Sequence, residues 1–146
     1  MDNKFMLLAL KEAKKAYNIN EVPVGAVIVK NGVVLAKSHN LKVKTNKIIN
    51  HAEIRSIIKA TSLNKDWRLS DCDMYVTLEP CPMCAGAIVQ SRIKKLYIGT
   101  SSNDENNKTI LNSILNNNNF CHHVEIEYLN NDDCSKIISD FFSCKR

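Results

Sequence analysis

No stretch of this sequence is apolar for long enough to span a membrane. The run Phe5–Leu10 is short and passes directly into Lys11-Glu12-Ala13-Lys14-Lys15, an amphipathic pattern without a leader-type cleavage site. There is no internal repeat and no linker composition, so the 146 residues are expected to form one domain, 1–146, large enough to bury a core. Proline is scarce, with three residues and none after Pro82. Charge of neither sign dominates. The formal net charge of +5 fits a polyanionic partner but does not demand one. With 45% hydrophobic and 24% charged residues, the composition is that of an ordinary soluble globule, and a cytoplasmic setting is expected.

What the chain does have is six cysteines: Cys72, Cys81, Cys84, Cys121, Cys134 and Cys144. An even count invites a disulfide reading. In a reduced compartment, however, a close cysteine pair is more often metal-binding or catalytic than bridged.

Periodicity places the elements. Phe5, Leu8, Ala9, Ala13, Ala16 and Tyr17 recur at helical spacing, which predicts a first helix with Asp2 as its cap. Val24–Val29 and Val33–Ala36 are β-rich runs around Lys30-Asn31-Gly32, a strong hairpin signal. Ser38–Asn50 is polar and reads as a loop. A second helix follows, with Ile54, Ile57 and Ile58 expected to face inward. Met74–Leu78 is a third strand, and Pro80 and Pro82 suit a strand end and a helix's first turn. That helix continues through Ala85–Arg92. Lys95–Ile98 is a fourth strand stopped by Gly99, Ser101–Lys108 a polar loop, and Thr109–Leu115 a short helix. Val124–Tyr128 is a fifth strand. The last helix carries Cys134, Ile137, Ile138, Phe141 and Cys144 as a stripe, with Lys145 and Arg146 at its C-terminal dipole. The expected fold is α/β, three-layered, with a mixed five-stranded sheet and helices on both faces.

Two short stretches carry chemistry. Cys81-Pro82-Met83-Cys84 sets two thiols three residues apart, on one side of a helical turn. Upstream, His51-Ala52-Glu53 pairs an imidazole with a carboxylate. On a regular helix, residues two apart diverge by roughly 200°. Both serve one site only at a helix's first turn, beyond whose end the site lies. Catalytic zinc takes three such protein ligands and keeps a fourth position for water. His51, Cys81 and Cys84 fit that count. Three other readings stand beside it. The pair resembles a thioredoxin-type redox motif, but that fold sets a later cis-proline beside its disulfide, and no proline follows Pro82. A structural zinc needs a fourth ligand, which Cys72, Cys121, His122 or His123 can supply in principle. His51 can also be a plain core histidine.

His-x-Glu followed by Pro-Cys-x-x-Cys is the signature of zinc-dependent nucleobase deaminases. The likeness runs further. Glu21–Val27, Asn40, His51–Ile54, Trp67-Arg68-Leu69, Tyr75–Cys81, Met83–Ile88, Ser91-Arg92-Ile93, His123–Ile126 and Ser139–Phe142 together resemble the bacterial tRNA-specific adenosine deaminase family. The resemblance implies a cytidine-deaminase-like fold, a homodimer, one Zn2+ per subunit, and conversion of adenosine to inosine at the wobble position of a tRNA anticodon. It implies that His51, Cys81 and Cys84 hold the zinc and that Glu53 carries the proton between water, purine N1 and the leaving ammonia. Asn40 would bind the adenine, and Ser102, Phe141, Phe142, Lys145 and Arg146 would lie near the tRNA anticodon stem-loop.

Two stretches depart from the family. Thr100–Lys108 has no glycine, and Ser102 stands where an acidic residue is expected. Ile48-Ile49-Asn50 replaces a Pro- and Ala-containing approach to the histidine, with Asn50 a candidate helix cap. A deaminase of a small free base such as guanine or cytosine is the alternative enzyme, and a zinc-stabilised RNA-binding module the non-enzymatic one.

Overall fold

The structure is a computed structural model that describes residues 4–117, 119 and 122–144. Its elements follow in the order α1 (Lys4–Asn18), β1 (Gly25–Lys30), β2 (Val33–His39), α2 (Lys42–Thr45), α3 (Ala52–Asn64), β3 (Cys72–Leu78), α4 (Pro82–Gln90), β4 (Lys95–Thr100), α5 (Glu105–Leu115), β5 (Glu125–Tyr128) and α6 (Asp132–Cys144). The strands form one mixed sheet in the order β2-β1-β3-β4-β5. β1 runs antiparallel to both β2 and β3, while β3, β4 and β5 are parallel. Parallel neighbours need a crossover, and α4 and α5 are those crossovers.

The period of two along each strand sorts the core into two layers. Ala26, Ile28, Met74, Val76, Leu96 and Ile98 face a cluster completed by Ala60, Ala85, Ile88, Leu111 and Leu115 of α3, α4 and α5. Val27, Val29, Tyr75 and Tyr97 face the other way, against Met6, Ala9 and Leu10 of α1 and Cys134 and Ile137 of α6. The expected three layers are therefore observed.

The hairpin turns at Asn31 and Gly32, both with positive φ, the conformation that a two-residue turn between twisted strands requires. Two other glycines serve contact instead. A Cβ at Gly25 would collide with the Ala9 carbonyl, and one at Gly99 would lie 2.6 Å from the Cys134 sulfur. These bare positions let α1 and α6 sit directly on the sheet.

Several boundaries differ from the sequence expectation. β2 runs on to His39, and a turn of helix, α2, lies inside the expected loop. Glu21, itself 1% exposed, accepts hydrogen bonds from the Val43 and Lys44 amides, 3.0 and 2.6 Å, and so caps α2 from a distance. α5 begins at Glu105, four residues before the expected start, because the Asp104 side chain caps it by accepting from the Asn106 amide. Asn50 caps nothing. Its side chain donates to Thr45, and His51 occupies the N-cap of α3. Ile58 does not face inward but is 55% exposed. The buried stripe of α3 is Ala52, Glu53, Ser56 and Ala60, and its two alanines and serine let the helix approach β1 and β2 closely. The α6 stripe holds through Phe141, but Cys144 is exposed. Cys72 and Cys134 are buried free thiols in the core. Asp2, Cys121, Lys145 and Arg146, expected above as helix cap, zinc ligand and RNA contacts, lie outside the described residues.

Candidate active site

Two helices start at the same place. His51 is the N-cap of α3, and Cys81 is the N-cap of α4, with Pro82 in the first turn where its fixed φ and missing N–H are tolerated. The His51 side chain makes no cap bond to α3. A Ser or Asp there would turn back on the amides, stabilising each helix by about 1 kcal/mol. The imidazole and the thiol turn outward instead, into the partial positive charge of two helix N-termini. Glu53 follows in the first turn of α3, on the same end.

The His51 Nδ1 lies 3.6 Å from the Cys81 sulfur and 3.4 Å from the Cys84 sulfur. All three donor atoms fall within 4.8 Å of one another. Zinc bonded tetrahedrally to imidazole and thiolate at about 2.0 and 2.3 Å sets those atoms about 3.5 Å apart. The donor set and its spacing therefore fit a zinc ion. Among the described residues, none of the other candidates joins them. Cys72 is in the core, and the His122 ring bonds the Ile93 carbonyl at 2.7 Å. Three protein donors is the count of a catalytic rather than a structural zinc.

The electrostatics follow from the crowding. A hydrogen bond from Cys84, despite opposing burial, and a further one from His51 hold Cys81 far below the ordinary thiol range, at about 4. Cys84 is pushed upward by the same bond and by its deeper burial. One thiolate thus stands ready, and a bound zinc would displace the second proton. Glu53 is 4% exposed, and burial pushes its carboxyl up to about 7.

These groups open into a cleft of about 200 Å³ lined by Val24, Asn40, His51, Glu53, Leu78 and Cys81. Asn40 is buried beside it. Its Oδ1 accepts from the Lys42 amide at 3.0 Å and its Nδ2 donates to the Val22 carbonyl at 3.2 Å. Each group retains one further bonding position, as a base-reading amide needs. A second cavity of about 250 Å³ shares Leu78 with the cleft and is lined by Ser101, Ser102, Ser139 and Phe142. Ser102 and Phe142 are therefore brought together beside the cleft. Phe141 is not with them. It is 7% exposed, edge-on to Tyr17 of α1, while Phe142 is 45% exposed.

Sequence reasoning missed Glu79 and Glu21 as structural centres. Glu79 is 4% exposed and gathers Ser102, Asn107 and Tyr128 around one carboxylate. Burial raises its pKa, but hydrogen bonds from Tyr128, Asn107 and Ser102 outweigh that and hold it below the usual carboxylate value. The available signal was a charged residue ending an apolar strand.

The model of the MafB19-like deaminase family matches residues 1–146. The tRNA-specific adenosine deaminase of Bacillus subtilis (strain 168) is 41% identical over 142 residues, 97% of this chain and 88% of that protein. The chain belongs to the tRNA-specific adenosine deaminase family. A structure solved in a study of A-to-I editing by tRNA:A34 deaminases superposes with a TM-score of 0.83 at 38% identity, covering 93% of this chain and 99% of that one. The cytidine-deaminase-like fold expected from the resemblance is thus the fold observed. The guanine deaminase of Bacillus subtilis is 36% identical, with a TM-score of 0.65, over 69% of this chain and 66% of that one. Family membership accordingly favours the adenosine reading over the guanine one.

Proposed function

We propose that the protein is a zinc-dependent hydrolase that converts adenosine to inosine at position 34 of a tRNA anticodon. The observation that carries this is the convergence of His51, Cys81, Cys84 and the buried Glu53 on one cleft at two helix N-termini. His51 Nδ1 and the two cysteine sulfurs would hold one Zn2+ per subunit. Zinc, when bound, lowers the pKa of a water to about 7. The protein groups supply the rest. Asn40 holds the purine in the cleft by its free amide positions. The Glu53 carboxylate takes one proton from the attacking water and delivers it to purine N1, then carries the hydroxyl proton of the C6 adduct to the amino group, which departs as ammonia. Water and adenosine thereby give inosine and ammonia. A wobble base already lies in a single-stranded loop, so extruding it costs little.

Ser102 and Phe142, with Lys145 and Arg146 at the chain end, would contact the anticodon stem-loop. Phe141 would act from beneath, by supporting Phe142, whose ring it meets edge-on at 5.3 Å. The proposal includes a homodimer in the cytoplasm, and the exposed Ile58 and Trp67 are apolar surface of the kind an interface covers. Among the described residues, no helix is long and apolar enough to cross a membrane. The test is to incubate zinc-loaded protein with an A34-bearing tRNA-arginine stem-loop and, separately, with free guanine. Inosine from the stem-loop is expected. Absence of inosine, or faster turnover of guanine, overturns the reading.

A further inference from the structure

Glu79 is a buried charge that the proposed chemistry does not use. It lies two residues before Cys81, at the end of β3, and is 4% exposed. Its Oε2 accepts from the Tyr128 hydroxyl of β5 at 2.6 Å. Its Oε1 accepts from the Ser102 hydroxyl at 3.0 Å and from the Asn107 side-chain amide of α5 at 3.0 Å. The same Asn107 amide reaches the Pro80 carbonyl at 3.2 Å, and the Glu79 backbone N–H donates to the Thr100 carbonyl at 3.0 Å. Every donor to the carboxylate named here is neutral. A carboxylate buried among neutral donors is a poor source of stability compared with an apolar side chain of its size, since the cost of desolvating the charge is repaid only by good hydrogen-bond geometry. It is a strong source of geometry, because an ionised acceptor makes directional bonds about twice as strong as neutral ones.

The geometry held is that of the β4–α5 connection, residues 101–104. That segment contains no glycine, and its Ser101, Ser102 and Asn103 line the cavity next to the cleft together with Phe142. Among the described residues, the cavity is walled by hydroxyls, Asn103, the aliphatic Leu78 and Ile138 and one exposed aromatic ring, with no lining cation. Such a surface suits a nucleobase, which stacks and hydrogen-bonds, better than a phosphate.

We infer that Glu79 is a positioning residue: it ties the zinc-side turn at Cys81 to the Ser101–Asn103 wall, so that the cavity beside the cleft receives a base flanking the reacting adenosine. The inference rests on the proposed tRNA reading. Glu79 acts through Ser102 and Asn107 and need not touch the reacting atoms.

The experiment compares wild type, Glu79→Gln and Tyr128→Phe as zinc-loaded full-length proteins. The substrates are the intact A34 stem-loop and two versions with an abasic ribose, one immediately before and one immediately after the adenosine. Glu79→Gln is expected to raise KM on the intact loop about tenfold while kcat changes by less than about threefold. On one of the two abasic loops that KM penalty is expected to vanish, because the base that the wall receives is gone. Tyr128→Phe, which removes one donor, shifts KM the same way but less, and it carries the test if Glu79→Gln does not fold. A loss confined to kcat, an equal penalty on all three substrates or an unchanged KM in both variants overturns the inference. A wild type that makes no inosine from the intact loop overturns the tRNA reading and this inference with it. A wild type that does, with flat variants, overturns this inference alone.

Discussion

Replacing Glu53 by Gln removes one proton site and almost nothing else. The side chain keeps its length and shape, and at 4% exposure its neighbours keep their packing. The three proposed zinc donors, His51, Cys81 and Cys84, are untouched, with 3.4 and 3.6 Å between nitrogen and sulfurs. A positioned general acid–base contributes about 10²–10⁴ in rate, equivalent to roughly 3–5 kcal/mol of transition-state stabilisation. The upper half of that range applies under the proposed chemistry, in which one carboxylate carries both water protons, one to purine N1 and one to the leaving ammonia. Glu53→Gln should therefore keep one zinc per chain and bind the stem-loop as before, yet make inosine at least about 10³-fold more slowly. The assay is single-turnover inosine formation on the A34 stem-loop, paired with metal analysis and a melting curve for each protein. Retention of activity to within tenfold of wild type would refute the assignment of the proton to Glu53. Loss of zinc in a folded variant would refute the separation of proton carrier from ligands.

Cys84→Ala should lower zinc content to well under half an ion per chain, since two protein donors hold zinc weakly, and metal analysis after dialysis checks it. Gly25→Ala puts a methyl group into the Ala9 carbonyl, backbone that cannot step aside, and should destabilise by about 3 kcal/mol, a melting-temperature drop of roughly 10 °C. Glu12 is buried, which raises its pKa, but hydrogen bonds from His39 and Lys15 outweigh this and hold it below its ordinary 4.5. Such a carboxylate stabilises the fold fully above that pH and loses its contribution as pH falls through the lower folded value. Below pH 4.5, then, the melting temperature of Glu12→Gln should fall less steeply than that of wild type, and parallel curves would contradict the buried pairing. Finally, kcat/KM on the stem-loop should fall as salt rises, by about 0.7 in log–log slope per phosphate contact, and a flat profile argues against a polyanionic substrate.

Elements with local signals were legible in the chain. Asn31-Gly32 has both positive φ angles that its dipeptide announces, and Pro82 sits in the first turn of α4. The helix start at His51 was legible too, because His51 and Glu53, two apart, share a site only at a helix end, and His51 is that end; their meeting with Cys81 was read from the His-x-Glu and Pro-Cys-x-x-Cys signature. Three buried carboxylates were missed. Glu12, Glu21 and Glu79 are each under 5% exposed, yet by composition each reads as surface. Their partners are remote in sequence: Glu79 meets Tyr128 across 49 residues, and Glu12 meets His39 across 27. No periodicity encodes such pairs. The start of α5 was missed for a related reason: Asp104 caps through a side-chain bond, while the polar run around it looks like loop.

The sequence by itself determined the reaction class. Two thiols, an imidazole and a carboxylate near two helix starts are written in local spacing, and the His-x-Glu and Pro-Cys-x-x-Cys signature ties them to deamination. Only the tertiary structure decided what surrounds that centre. It turned Phe141 into the core and left Phe142 outside, because α6 packs one face onto α1. It set Ser102 and Asn107 on Glu79, because β3, β4 and β5 lie parallel and bring their C-terminal ends to one edge. Helix starts are written in a few adjacent residues, whereas a wall built from three strand ends exists only once the sheet has formed.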